Sequence, residues 1–339
     1  MFSTLPGVVV NLKHIVRSGL AAIAVAVACA TPATAGTPIR VGYWTSGISL
    51  GFGAVLEAQK LFEKHGFDPE FVHFPDVTGP TKAIAANSID LAFGASLAGA
   101  FSLGAQGVPV KIILATQVVD AQFVVPADSP IRTLDDLKGK KIGMSPVGSA
   151  TTGVGVSLLQ NRGLAPKDYS LVPGNESRLV QFVVQKDVDA AVLRTLTIAQ
   201  TEGLASKIRV ITSFEREWQA MTKSKSLPYI GVAVVRTDWL QKYPQAGAAA
   251  VVAMREALVF GEKNPAVVVD VLKKAANMPD DGAKLYAELW SGMNTVTFEP
   301  GDIDTLKRTF EIFKADGTLK GDLPDMFLTK PWNDAKAMR

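Results

Sequence analysis

Short β-prone runs alternate with amphipathic helical stretches along most of this chain, and that alternation leaves few folds open. Ile39–Tyr43, Phe67–Phe74, Ile89–Phe93 and Val110–Thr116 read as strands. Between them, Gly53–Lys64 carries Val55, Leu56 and Phe62 on one side and stops at His65-Gly66. Thr81–Asn87 and Ser96–Gln106 read as two further helices, the latter ended by Gly107. Within the second strand, the Asp68-Pro69 pair places the start of regular pairing at Glu70. Strands and helices at these spacings predict βαβ units and a largely parallel sheet.

After Gln117 the pattern repeats. Phe123–Val125 leads into Asp128–Thr152, DSPIRTLDDLKGKKIGMSPVGSATT, which reads as turn, short helix, strand and a loop opening a second helix. Ser129-Pro130 makes the turn. Thr133 caps Leu134–Leu137, with Asp135 and Asp136 in its first turn, and Lys138-Gly139 closes it. Lys141–Met144 is the strand. Gly148, Ser149, Ala150, Thr151 and Thr152 follow at a helix start, where free N–H groups and hydroxyls favour an anion. Ser149 is the residue placed to cap that helix. Tyr169–Val172, Asp189–Leu193 and Lys207–Thr212 read as strands, and Ser177–Gln185 and Thr195–Glu202 as helices. Glu215–Ser226 reads as polar and irregular, Tyr229–Val235 as a strand, and Thr237-Asp238 as a helix cap. From Pro244 onward everything reads helical.

A chain of 339 residues is long for one domain and points to two. Apolar residues at 47% and charged residues at 20% are ordinary for a globular protein. The formal charge of +3 is too small and scattered for a nucleic-acid binder, and no basic run has interleaved aromatics. Lys13 and Arg17, the apolar run Gly19–Ala30 and the small-x-small Ala33-Thr34-Ala35 form the three parts of a secretory signal peptide over residues 1–35. That run is too short to span a bilayer. Cys29, the one cysteine, falls inside this leader, which leaves the mature chain without thiol chemistry. Ala26-Val27-Ala28-Cys29 also resembles a lipoprotein cleavage box, without the usual leucine three residues before the cysteine, so lipid anchoring stays open.

Three blocks carry a family resemblance: S-P-I-x-x-L-x-D-L-K-G-K-K-I-G followed by G-S-x-T, L-E-A-Q-K-L-F-E-K-H-G-F, and I-D-L-A-F-G-A-S. The chain resembles periplasmic solute-binding proteins of ABC transporters, in the nitrate/sulfonate/taurine group that also holds binders of thiamine-pyrimidine precursors. The resemblance implies a two-lobed periplasmic-binding-protein fold, type II-like, each lobe a mostly parallel sheet flanked by helices, with a helical C-terminal region. Lobe 1 would hold residues 36–118 and 232–339, and lobe 2 residues 119–231. It also implies a monomer in the periplasm that delivers a small anionic ligand to ABC permease subunits, with no cofactor and no nucleic acid as partner.

Ligands of open α/β sheets sit beyond the carboxyl ends of the strands. The loops there supply Trp44, Thr45, Ser46, Gly47, Ser96 and Gln117 from one unit, and Gly148–Thr152 and Arg194 from the other. Each also has a purely structural role open to it: Trp44 as packing, Gln117 as an ordinary polar residue between lobes, Gly148–Thr152 as a helix cap. At Arg194 the sequence departs from the family, which often carries an aromatic residue and a nearby proline there. A guanidinium at that place could bind an oxyanion or make an ion pair at the cleft rim. No H-E-x-x-H, no cysteine ligand set and no G-x-S-x-G occurs, and His65 and His73 read as surface positions. The sequence therefore favours a binder over an enzyme on the same fold. It leaves the ligand open among nitrate, an alkanesulfonate, taurine, an aromatic acid and a pyrimidine precursor. If the leader is cleaved at Ala35, the intact mass of exported protein will correspond to a chain starting at Gly36. A mass that retains a lipidated Cys29 would contradict this.

Overall fold

The computed structural model describes residues 36–338 apart from 46, 202, 224–226 and 316. The leader expected over residues 1–35 and the candidate Ser46 lie outside the described residues. Eleven strands are described: β1 (Thr37–Trp44), β2 (Phe67–Phe74), β3 (Leu91–Ser96), β4 (Val110–Val118), β5 (Gln122–Pro126), β6 (Lys141–Met144), β7 (Ser170–Pro173), β8 (Ala190–Leu193), β9 (Ile208–Ser213), β10 (Tyr229–Arg236) and β11 (Asn294–Thr297). They form two sheets flanked by helices. One has the order β11-β4-β10-β3-β1-β2, the other β7-β6-β8-β5-β9.

The βαβ units expected from the spacing are present. β1 pairs parallel with β2 and β3, and β6 pairs parallel with β7 and β8. Most strands of each sheet run one way, as expected; β10 and β11 in the first sheet and β5 in the second run against them. β10 runs antiparallel between β3 and β4, and β5 antiparallel between β8 and β9. The cause is where the chain crosses. It leaves the first sheet at Val118, at the carboxyl edge, and starts β5 at Gln122. It returns from the second sheet to start β10 at Tyr229, beside Val118. A strand entered from the carboxyl edge must run away from it, so β5 and β10 oppose their neighbours. The two crossings lie side by side, joined by the Val119 N–H donating to the Pro228 carbonyl at 2.9 Å.

Burial explains the strand sequences. β3 is buried at every residue and β4 at all but two, as suits central strands covered on both faces. β2 is an edge strand and pairs with β1 from Phe67 onward, with Pro69 opposite Ile39, so pairing does not wait for Glu70. An edge strand has a free side on which the missing proline N–H breaks no ladder bond.

Two other expectations fail. The segment read as polar and irregular contains the helix Phe214–Thr222, capped by Ser213, whose Oγ accepts from the Arg216 N–H at 3.2 Å. Its charged residues hide an apolar stripe: Phe214, Trp218 and Met221 recur at helical spacing, and Trp218 is 1% exposed. β11 interrupts the region read as wholly helical and pairs antiparallel with β4. Four residues are too few to display a period of two against helical flanks. Trp218→Ala should lower stability by about 3–5 kcal/mol, since it empties a filled core position. Equilibrium chemical denaturation measures this, and a loss under 1 kcal/mol would mean that the helix does not pack as described.

Candidate functional site

The site is built where β1 and β8 end. Trp44 is the last residue of β1, and Arg194 follows Leu193, the last residue of β8. Across the gap between the sheets, the Arg194 guanidinium carbon lies 5.4 Å from the centre of the Trp44 ring, a cation–π arrangement. Both are buried, Trp44 at 3% and Arg194 at 4% exposure. Gly47 (φ +66°) lies against the indole, where a Cβ would come within 2.4 Å of a ring carbon. Both the positive φ and the close approach require glycine there.

A guanidinium buried this deeply needs a counter-charge and filled donors. Glu176, in the first turn of the helix Glu176–Gln185, supplies the charge, with Oε1 3.3 Å from Arg194 Nε. Arg194 Nη2 donates to Thr151 Oγ1 at 3.3 Å, and the second Glu176 oxygen accepts from Thr197 Oγ1 at 2.8 Å. Arg194 Nη1 is buried without a hydrogen-bond partner among the described residues, as are Trp44 Nε1 and Thr116 Oγ1. Gly47, which packs on the Trp44 indole, and Glu176, which pairs with Arg194, both line a cavity of about 460 Å³, bounded by Gly47 and Pro75 on one side and by Asn175, Glu176, Leu196 and Thr197 on the other. Its size suits a small molecule.

The loop Gly148–Thr152 meets the gap differently from the sequence expectation. Ser149 does cap the helix Ala150–Asn161, its Oγ accepting from the Thr152 N–H at 3.2 Å. Thr152 Oγ1 turns inward and donates to the Ser145 carbonyl at 2.6 Å. Ser96, from the other sheet, takes the place foreseen for an anion. Its Oγ accepts from the Ala150 N–H and donates to the Gly148 carbonyl, both at 3.0 Å, while also capping its own helix at Gly99. The helix start is thus closed by the chain's own hydroxyl groups, and Thr151 is the member of the loop whose hydroxyl reaches Arg194.

The structure therefore gathers Trp44, Gly47, Thr151 and Arg194 at one point, joins the sheets through Ser96, Gly148 and Ala150, and keeps Ser149 and Thr152 bonded to each other in the helix cap. Gln117 is buried, and its Nε2 donates to Ser49 Oγ at 2.6 Å. Gly94 (φ +60°) sits over that pair, where a Cβ would come within 2.1 Å of Ser49 Oγ. Thr45 turns away: its Oγ1 donates to the Phe74 carbonyl, and it lines a separate cavity with Tyr43, Glu57 and His73. There the Tyr43 phenol donates to Glu57 Oε1 at 2.5 Å; burial, aided by that carboxylate, holds its pKa well above the ordinary tyrosine range. Arg194 makes an ion pair, as one of its two readings held, but inside the gap and not at its rim.

Sequence reasoning missed Glu176, Thr197 and Ser49. A signal for Glu176 existed. Asn175 lies two residues past the end of β7 and caps the helix through its Oδ1, which accepts from the Arg178 N–H at 3.0 Å. With the helix read as starting at Ser177, the acidic residue one place earlier went unread.

Two sheets, crossed twice by the chain and meeting at their carboxyl edges, make the periplasmic-binding-protein fold. The alkanesulfonate-binding protein SsuA of Xanthomonas axonopodis pv. citri, solved with bound MOPS, superposes with a TM-score of 0.73 at 18% identity, covering 86% of this chain and 98% of that one. The chain belongs to the family described as "NMT1/THI5 like", which it matches over residues 53–266. It is 27% identical over 293 residues to a protein of Brucella abortus (strain 2308) named a "Putative binding protein", covering 86% of this chain and 85% of that one. It is also 27% identical over 255 residues to a "Putative thiamine biosynthesis protein" of Haemophilus influenzae, covering 70% and 80% respectively.

Ser96→Ala would leave the buried Ala150 N–H without its partner, at roughly 1–3 kcal/mol, and would remove the donor to the Gly148 carbonyl. Separation of the sheets relieves that cost. Small-angle scattering without ligand should therefore give a larger radius of gyration for Ser96→Ala than for wild type. Identical values would show that this hydroxyl does not hold the sheets together.

Proposed function

We propose that this chain is the exported substrate-capturing component of an ABC import system, and that its ligand is a small molecule presenting an oxyanion. The observation that carries the reading is the pair of unpartnered buried donors, Trp44 Nε1 on one sheet and Arg194 Nη1 on the other. An indole N–H and a guanidinium can only donate. Their missing partner must bring acceptors, and it must touch both sheets. Such a ligand favours the closed arrangement by its differential contacts alone.

In this reading residues 36–118 and 232–339 are one lobe and 119–231 the other. The crossings at Val119–Ala121 and next to Tyr229 are the hinge, and the protein acts as a periplasmic monomer whose closed form is recognised by permease subunits. The solved sulfonate-binding protein of the same fold supports the oxyanion. A pyrimidine precursor or aromatic acid is the second reading, supported by the relative named for thiamine biosynthesis. The Trp44 face, however, is already covered by Arg194, which leaves the indole N–H for the ligand.

A thermal-shift panel of nitrate, alkanesulfonates, taurine, aromatic acids and pyrimidines tests this. A true ligand at about 100 times Kd adds roughly 2.7 kcal/mol of stability. Arg194→Lys keeps a charge beside Glu176 but loses Nη1, and a hydrogen bond to a charged group contributes roughly 1.5–3 kcal/mol. Affinity for the oxyanion ligand should fall by about 10-fold to 100-fold. An affinity unchanged in Arg194→Lys would contradict the assignment.

A further inference from the structure

Away from the gap, the helices that follow β10 leave a groove of different chemistry. The helix Pro265–Ala275 packs against the helix Asp280–Glu288. Between them, beside the end of the helix Ala246–Lys263, opens a cavity of about 650 Å³. Its floor is apolar, made by Pro265, Ala266 and Val269 on one side and by Ala287 and Trp290 on the other. Trp290 is fixed in place. Its indole N–H donates to the Leu258 carbonyl at 2.9 Å, and its ring lies against Gly261, where a Cβ would come within 2.1 Å. The rim is acidic. Glu262, Asp270 and Glu288 stand exposed around the floor, and among the described residues none of the three makes an ion pair. The cation on that rim, Lys284, is held by Asp280 at 2.6 Å.

An apolar floor inside uncompensated carboxylates complements a surface that carries Lys or Arg around an apolar side chain. A small ligand would enclose its polar contacts, whereas these three carboxylates stand in water, where charges steer and orient a macromolecular partner. Position ties the groove to the ligand gap. The helix Asp280–Glu288, one wall of the groove, also packs against the helix Thr195–Gln200, which begins directly after Arg194 and belongs to the other sheet's segment. Opening the gap would withdraw that support from the wall. We propose that this groove docks the membrane partner, through a periplasm-facing permease segment that sets an apolar side chain over Trp290 and Lys or Arg against Glu262, Asp270 and Glu288. This rests on the import reading above and gives its partner a surface.

Photocrosslinking in the cells that naturally carry the protein tests this. Ala266→p-benzoylphenylalanine puts the probe in the groove. Val210→p-benzoylphenylalanine, at a residue 45% exposed on the edge strand β9, is the comparison. Mass spectrometry identifies the adducts. The adduct from Ala266 should be a membrane-spanning permease subunit. Its yield should fall about 10-fold or more in Asp270→Lys/Glu288→Lys, and about threefold in the milder Asp270→Asn/Glu288→Gln. Both side chains are exposed and outside the ligand gap, so melting temperature should stay at the wild-type value. An adduct with a second copy of this chain, or with a soluble protein, would overturn the proposal. So would a permease adduct whose yield neither variant changes. A permease adduct from Val210 alone would overturn it and leave the import reading standing. Absence of a permease adduct from both positions would sink the import reading as well.

Discussion

A guanidinium held between two sheets is the constraint around which the rest of this structure is arranged. Burying such a charge alone is prohibitive, and even a buried ion pair recovers its desolvation cost only when the geometry is good and other donors are satisfied. Glu176, Thr151 and the Trp44 ring meet most of that demand. One guanidinium nitrogen is left over, next to an indole nitrogen in the same condition. Native interiors rarely leave strict donors unpaired, and here two belong to side chains that meet across the gap, which is the basis of the binding proposal.

Topology puts the pair there. The chain crosses between the sheets at their carboxyl edges, and both edges consequently face one gap. Crossing at that edge also forces β5 and β10 to run against their neighbours, which is why each sheet is mixed. Ser96 then closes the gap from the first sheet onto the helix start of the second, taking the N–H that an anion would otherwise claim. The unpartnered donors lie instead at Trp44 and Arg194.

Much of the fold was legible because it is written in local period and punctuation. The alternation of strands and helices, the Ser149 cap and the strand-end positions of Trp44 and Arg194 all follow from short windows of sequence. What failed was short, masked by composition, or set by contacts distant in sequence. β11 has four residues. The helix Phe214–Thr222 shows its stripe only once the spacing of Phe214, Trp218 and Met221 is weighed above its charges. Ser96 and Ala150 are 54 residues apart, and nothing near either one announces that a serine from one sheet fills the helix start of the other. The helix start misplaced at Ser177 cost the reading of Glu176, the residue that pairs with Arg194.

The central claim is that a ligand fills the unpartnered donors of both sheets, and the indole of Trp44 reports on it directly. The chain has five tryptophans. Trp239, Trp290 and Trp332 already donate to Pro38, Leu258 and Glu299. In a ¹H–¹⁵N spectrum with the Trp44 signal assigned through Trp44→Phe, saturation with an oxyanion ligand should move the Trp44 indole N–H downfield while those three stay in place. A Trp44 signal that does not move when the ligand binds would contradict the account.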